Sequence, residues 1–476
     1  MIKTIFKSFV PVLTAITLSS CSEPETFEEL GEKVAGPMDI TQTSTHFYVL
    51  NADIDRTYNK GSILVLDTDG NKVSATETPR MGRFAVVSGN YLIAGFGPTE
   101  QFEVLPQLKF YDISDPSNVV LKHSIEMECS PANAYAPDSY AYFAVSCVGG
   151  KIFMGTWGSS ITDTTLNLVR QPDGNTRRAL YIDEARNLLF AFTTDWSDPD
   201  YKDRILSDLN SYDENFNETA GENEVPDLWE SSEEVKETVE KSGTELQYKF
   251  LVYDIAAEAA KGFPSLSSDS DEAKTEMRWL YFNANRSSLT FEAGQKYYRS
   301  NFWKIIAHPT DANSFYISQR GDELAGAAPD ANAIYQFTIT ADPKPVSSVA
   351  PLTSSFLSVS AVYGHESSPA NAAQTRYSGN FIIGTSGSET YFAVNDFKDK
   401  TYSRSSTYFA NANYNVGFKN TAGTWTDSLT STSRENSYFS LGAIGSRVLT
   451  GSFFTDKLIL LEVSPGSDIT TVTTIK

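Results

Sequence analysis

The feature that most constrains the fold of this chain is a recurring pair of short apolar strands. Each pair has an apolar first strand that leads into a Gly, Asp or Ser turn, then a second strand rich in β-branched and aromatic residues. The first members are HFYVLNAD at 46–53, YLIAGF at 91–96, KIFMGTWG at 151–158, LLFAFTTD at 188–195, SFYISQRG at 314–321, NFIIGTSG at 380–387 and RVLTGSFF at 447–454. Their partners are SILVLD at 62–67, LKFYDI at 108–113, TLNLVR at 165–170, KFLVYDI at 249–255, AIYQFTI at 333–339, TYFAVND at 390–396 and LILLEV at 458–463. Only the fourth pair is split widely, and no proline-rich or glycine-serine linker cuts the chain in two.

Repeats of this size, with four short strands each, predict an all-β fold: a seven-bladed β-propeller over residues 36–476. Six or eight blades, or two β-sandwiches, are the alternatives the same pairs permit. A lone four-stranded sheet cannot bury both faces, so each needs a neighbour on either side. The 29 Phe and 24 Tyr suit sheets packed face to face. The segment LKFYDISDPSNVVLKH at 108–123 has a hydrophobic strand, Asp-x-Ser-x-Pro and a return strand. It resembles the LVIVD-type repeat of bacterial surface propellers. Elsewhere only the Asp after the strand recurs, as in Asp67 and Asp254, so the resemblance implies a fold and transfers no site.

Two regions interrupt the pattern, an acidic insertion at 195–248 and an irregular region at 256–300. From Asp195 to Glu245 there are 17 acidic residues against four basic ones, Lys202, Arg204, Lys236 and Lys241. Ser231-Ser232-Glu233-Glu234 carries a capping-box signal for a helix ending near Gly243. By analogy with propellers in general, an insertion between the second and third strands overhangs the channel mouth. The irregular region opens with the helix-like AAEAAK and holds Asp269, Asp271 and Glu272.

The amino terminus has a different character. Lys3 and Lys7 precede an apolar run from Phe9 through Leu18, which is shorter than the roughly 20 residues a spanning helix needs. It fits the apolar region of a secretory signal over residues 1–20. The run ends in Leu18-Ser19-Ser20-Cys21, which resembles the bacterial lipobox. That resemblance implies acylation of Cys21, cleavage before it, and a tether at 21–35 leading to the propeller. The bilayer is then a partner through the acyl chains. Ser22 in place of Asp implies an outer-membrane destination in the cell envelope, facing the periplasm or the exterior.

Composition agrees with export. Cys129 and Cys147 are the remaining cysteines, and in an oxidising compartment their spacing predicts a disulfide. The net charge of −22 argues against nucleic acid and against broad adsorption to anionic lipid.

The sequence carries no recognisable catalytic constellation. His46, His123, His308 and His365 have no helical metal-ligand spacing and read as structural. Gly384-Thr385-Ser386-Gly387 has its second glycine one position early for a nucleophile elbow and reads as a strand-end turn. Asp213, Asn215, Asn217 and Glu224 match positions 1, 3, 5 and 12 of a calcium loop, but Glu218 stands where glycine is needed. A looser oxygen site for Ca²⁺ from Asp195, Asp198 and Asp200 stays open, against a solvated acidic loop. Thr421-Ala422-Gly423-Thr424-Trp425 misses the sialidase Asp-box spacing.

Three functional readings follow. The first is a non-catalytic binding or scaffold propeller of the envelope, with no cofactor and a protein partner of basic surface. The second is an extracytoplasmic hydrolase or lactonase with a metal at the channel mouth. The third is a surface adhesin binding glycans through aromatics such as Trp157, Trp196 and Trp229, although Trp157 reads better as packing.

Overall fold

The computed structural model describes residues 27–53, 56–98, 105–148, 151–170, 174–175, 180–195, 247–263, 279–282, 300–321, 333–340, 357–363, 380–398, 413–420, 425–431, 438–452, 456–463 and 470–476. Among these residues the chain forms antiparallel sheets, each from strands that follow one another in sequence. The first sheet is β1 (Pro37–Gln42), β2 (His46–Asn51), β3 (Gly61–Asp67) and β4 (Lys72–Thr78). The second is β5 (Gly82–Ser88), β6 (Tyr91–Phe96), β7 (Gln107–Asp112) and β8 (Val120–Glu126), and the third is β9 (Pro131–Tyr135), β10 (Tyr142–Cys147), β11 (Ile152–Thr156) and β12 (Thr165–Arg170).

The fourth sheet departs from this plan. Its first position is split into β13 (Gly174–Asn175) and β14 (Leu180–Asp183), both paired with β15 (Leu188–Asp195). It continues through β16 (Gln247–Asp254), the short helix α1 (Ile255–Ala259) and β17 (Trp279–Phe282). The fifth sheet is β18 (Ser300–Ala307), β19 (Ser314–Gly321), β20 (Ala333–Ile339) and β21 (Leu357–Tyr363). The sixth is β22 (Phe381–Ser386), β23 (Glu389–Lys398), β24 (Asn413–Asn420) and β25 (Trp425–Ser431), and the seventh is β26 (Tyr438–Ile444), β27 (Arg447–Ser452), β28 (Lys457–Glu462) and β29 (Thr470–Ile475).

The first strands adjoin one another in the order β1, β5, β9, β14, β18, β22, β26, and β26 returns to β1. Sheets arranged radially around such a cycle of inner strands make a β-propeller. Six sheets have the regular four-stranded form and the fourth is the irregular one.

Side-chain alternation explains the packing. Strands buried on both faces read as continuous apolar runs, because odd and even positions enter different cores. In β2, Phe47 and Val49 pack with Leu449, Leu458 and Leu460 of the seventh sheet. Tyr48 and Leu50 pack with Leu92, Ala94 and Phe96 of the second. The same division recurs in β6 and β7, where Ile93, Leu108 and Phe110 meet Phe143 and Val145 of the third sheet. Between the fourth and fifth sheets the filling is aromatic, with Tyr181 and Phe315 stacked at 5.0 Å and Phe315 and Phe337 at 5.6 Å.

All seven strand pairs read from the sequence are hydrogen-bonded neighbours. Their position within the sheet is not uniform. Five pairs are second and third strands, the pair at 151–170 is third and fourth, and the pair at 380–396 is first and second. The irregular region at 256–300 contains α1 and the fourth strand of its sheet, β17. Leu30, Val34 and Ala35 are buried, so the chain joins the core before residue 36.

Candidate functional site

Antiparallel order puts the second-to-third connections and the crossovers between sheets on one rim. The first-to-second and third-to-fourth turns lie on the other. The connection 196–246 joins β15 to β16, and the pair Asp195↔Gln247 brings its two ends side by side on the first rim.

The first rim is knit by a repeated hydrogen bond. The residue after the second strand donates its N–H to the carbonyl just before the first strand: Ala52 to Gly36 at 2.9 Å, Gly97 to Met81 at 2.9 Å, and Val148 to Ser130 at 2.8 Å. Met81 N also donates back to Ala52 O at 3.1 Å, linking the second sheet to the first. Nearby, Asp53 and Arg80 form a buried ion pair at 3.5 Å, and the Asp53 carboxylate accepts from Tyr58 N and Lys60 N. Arg80 Nε donates to Asp53 O at 3.1 Å. A buried charge pair is tolerated only when its remaining lone pairs are filled, and here backbone donors fill them.

A side chain at Gly97 would meet the Arg83 guanidinium, with Nε 2.9 Å from where its Cβ would stand, and the Ser130 hydroxyl at 3.2 Å, so Arg83 would have to shift. Burial holds the Arg83 guanidinium below its ordinary pKa. Beside Ser130, Cys129 is bonded to Cys147 with Cα atoms 5.9 Å apart. Lys151 and Glu128 add an ion pair at 2.9 Å across the same two segments. The expected disulfide is therefore present, and it ties a crossover to the end of β10.

The opposite rim carries aspartate turns. Asp112 accepts from the hydroxyl and N–H of Ser114, and Asp115 from those of Ser117. These bonds hold both carboxyls below their usual range. At Asp67 burial raises the carboxyl, but donors from Asn71, Asp69 and Gly70 outweigh it and the net shift is downward. Asp254 caps α1 through Ala257 N at 2.9 Å. The recurring Asp after the third strand is thus a turn-former, satisfying local N–H groups.

Also on this rim, Tyr140 donates to Asn187 Oδ1 at 2.8 Å, and Gly89 N donates to Asp138 Oδ1 at 2.7 Å. Burial, then the neighbouring Tyr142 and the carboxylates Glu184, Asp183 and Asp254, push the Tyr140 hydroxyl up to about 12. Glu184 is itself raised, first by burial and then by Asp138 and Asp183.

The histidines in view are structural. His46 Nδ1 lies 2.9 Å from Thr45 Oγ1, His123 stacks on Phe110, and His308 Nδ1 accepts from Thr310 N and Asp311 N. Gly387 sits in the β22–β23 hairpin with φ +61°, a strand-end turn. Trp157 is half-buried against Tyr91, Phe110 and Phe143, which makes it a packing residue. Asp195 ends β15. Cys21, Trp196, Asp198, Asp200, Trp229, His365 and the loop from Asp213 to Glu224 lie outside the described residues. Among the described residues no three His, Cys, Asp or Glu side chains are grouped to hold a metal ion. The Asp53–Arg80 pair and the Arg83–Gly97–Ser130 packing had no sequence signal, because their partners lie on different strands and connections, 14 to 47 positions apart.

No protein-family model matches the chain, and no curated protein matches it in sequence. Among solved structures it is similar to the β-propeller domain of Cps50 (Swd1) from Myceliophteria thermophila, at 8% identity and a TM-score of 0.49, covering 93% of this chain and 100% of that one. The periplasmic gluconolactonase of Pseudomonas aeruginosa gives 11% identity and 0.47, covering 90% and 96%. Chaetomium thermophilum Sqt1, bound to the N-terminus of ribosomal protein L10, gives 10% and 0.47, covering 91% and 100%. These likenesses are too distant to transfer a site or an activity. The class of protein rests on its own sheets, and that class is the all-β propellers.

Proposed function

We propose that this chain is a lipid-anchored propeller of the bacterial cell envelope that binds a basic protein partner without catalysing a reaction. Counting the irregular fourth sheet as a blade, the ring has seven. The observation that carries the binding role is the register Asp195↔Gln247. It sets the two ends of a connection side by side at one rim with the sheet unbroken, and the sequence from Asp195 to Glu245 carries 17 acidic and four basic residues. Dense negative charge at a rim attracts cations and basic surfaces, and salt screens it. The disulfide agrees with an oxidising compartment, and Leu18-Ser19-Ser20-Cys21 supports the anchor, at the outer membrane by the Ser22 reading.

Two experiments test this. A variant with residues 199–245 replaced by Gly-Asn is titrated with a lysine-rich peptide beside the full chain. Salt-sensitive binding by the full chain, lost in the variant, is expected; equal binding by both sinks the role of the segment. For the anchor, Cys21→Ser is expressed in a bacterium and partitioned in detergent. It should move from the detergent phase to the aqueous phase, and an unchanged partition refutes lipidation.

A further inference from the structure

The first and seventh sheets share no strand: β1–β4 form one and β26–β29 the other. The ring must therefore close through side chains and turns. At the seam between the first and second sheets the link on this rim is backbone to backbone, with Met81 N donating to Ala52 O. Gly36 occupies the same place before β1 that Met81 occupies before β5. Both have left-handed backbone, with φ +58° and +62°. Gly36 N donates not to a carbonyl but to Asp456 Oδ1, at 2.5 Å. Asp456 belongs to the second-to-third connection of the seventh sheet.

We infer that Asp456 is the closing latch of the ring, a carboxylate standing in for the backbone carbonyl that serves the neighbouring seam. The left-handed turn at Gly36 aims a buried N–H across the seam, and the carboxylate meets it. Gly36 O in turn accepts from Ala52 N, so the latch is the first link of the bonded rim Asp456, Gly36, Ala52, Met81, Gly97. The apolar filling below it, with Phe47, Val49, Leu449, Leu458 and Leu460, does not depend on that bond. Ser440 Oγ, donating to Pro37 O at 3.3 Å, supports the same seam. Removing the acceptor leaves a buried donor unsatisfied at the rim while the core persists.

The test is amide hydrogen exchange on the full chain. Asp456→Ala should raise exchange at 34–36 and 51–53 by about tenfold, the scale of one unsatisfied buried donor. Exchange in β9–β12 should not change. Asp456→Asn, which keeps an acceptor oxygen, should restore most of the protection. As a control, Asp138→Ala should loosen only the turn at Gly89. Unchanged exchange at 34–36 in Asp456→Ala overturns the inference, and so does an increase spread evenly over all sheets.

Discussion

The seventh, first, second and third sheets differ from the fourth, fifth and sixth in what they hang on the ring. In the first group the longest connection between successive strands of a sheet is 97–106. In the second group the corresponding connections include 196–246, 260–278, 340–356 and 399–412, and the crossovers include 283–299 and 364–380. Yet both groups supply inner strands to the same cycle, and both fill their interfaces with large apolar side chains. The difference teaches that ring formation and loop elaboration are separable. A blade needs its strands and two buried faces; it tolerates long insertions wherever the flanking strand ends already pair.

The largest expected effect tests whether the two groups share one core. Phe110 and Phe315 are both fully buried, one in each group. Phe110→Ala and Phe315→Ala should each lose about 3–5 kcal/mol, as large-to-alanine changes in a close-packed core do. Denaturant melts of both should stay single transitions. Two resolved transitions, with only one displaced per variant, would split the molecule at the line drawn between the groups.

Next in size is the disulfide, which lies in the compact group. Cys129→Ser with Cys147→Ser should cost up to about 3 kcal/mol for a closed loop of this length in the chain-entropy model. Alkylation of the unreduced, denatured wild type should label neither cysteine. If it labels both and the double variant melts with the wild type, the compact group owes nothing to the bridge.

Smaller still is the pH response of the turn rim, which has opposite signs at two places. Asp67 and Asp112 are depressed, so their contribution is present above the ordinary carboxylate value near 3.9 and is lost as pH falls through the depressed values. Glu184 is raised, so its contribution is present below the ordinary value near 4.3 and is lost as pH rises through the raised value. Glu184→Gln should therefore raise the melting temperature slightly at neutral pH and have no such effect in acid. A variant that melts lower at neutral pH would show that the carboxylate has a partner that outweighs its burial and the repulsion of Asp138 and Asp183.

The smallest expected effect belongs to the most conspicuous sequence feature. Replacing residues 199–245 by Gly-Asn should leave the melting temperature within a few degrees, because the segment has too few large apolar residues to build a core. Failure of this variant to fold would erase the distinction between ring and decoration.

Much of this was legible beforehand. Strand pairs such as HFYVLN and SILVLD announce themselves because strands covered on both faces need apolar residues at every position. The disulfide was legible from its cysteines. The Asp of LKFYDISDPS was visible as a recurring residue, though only its bonds to Ser114 show that it forms a turn. Apart from β22, the inner strands were not legible: PMDITQ, PANAY and LYID are short, and they mix polar with apolar residues.

The sequence by itself determined that the chain is a succession of antiparallel hairpins, since alternation and turn chemistry are local. Only the tertiary structure decided the phase of those hairpins. A hairpin looks the same whether it occupies positions one and two, as β22 and β23 do, or three and four, as β11 and β12 do. What sets the phase is which strand lies on the axis, a choice made by packing between sheets. The rim bonds follow from it. Arg80 meets Asp53, and Asp456 meets Gly36, because the ring carries distant segments to one edge, and nothing in the local pattern encodes that meeting.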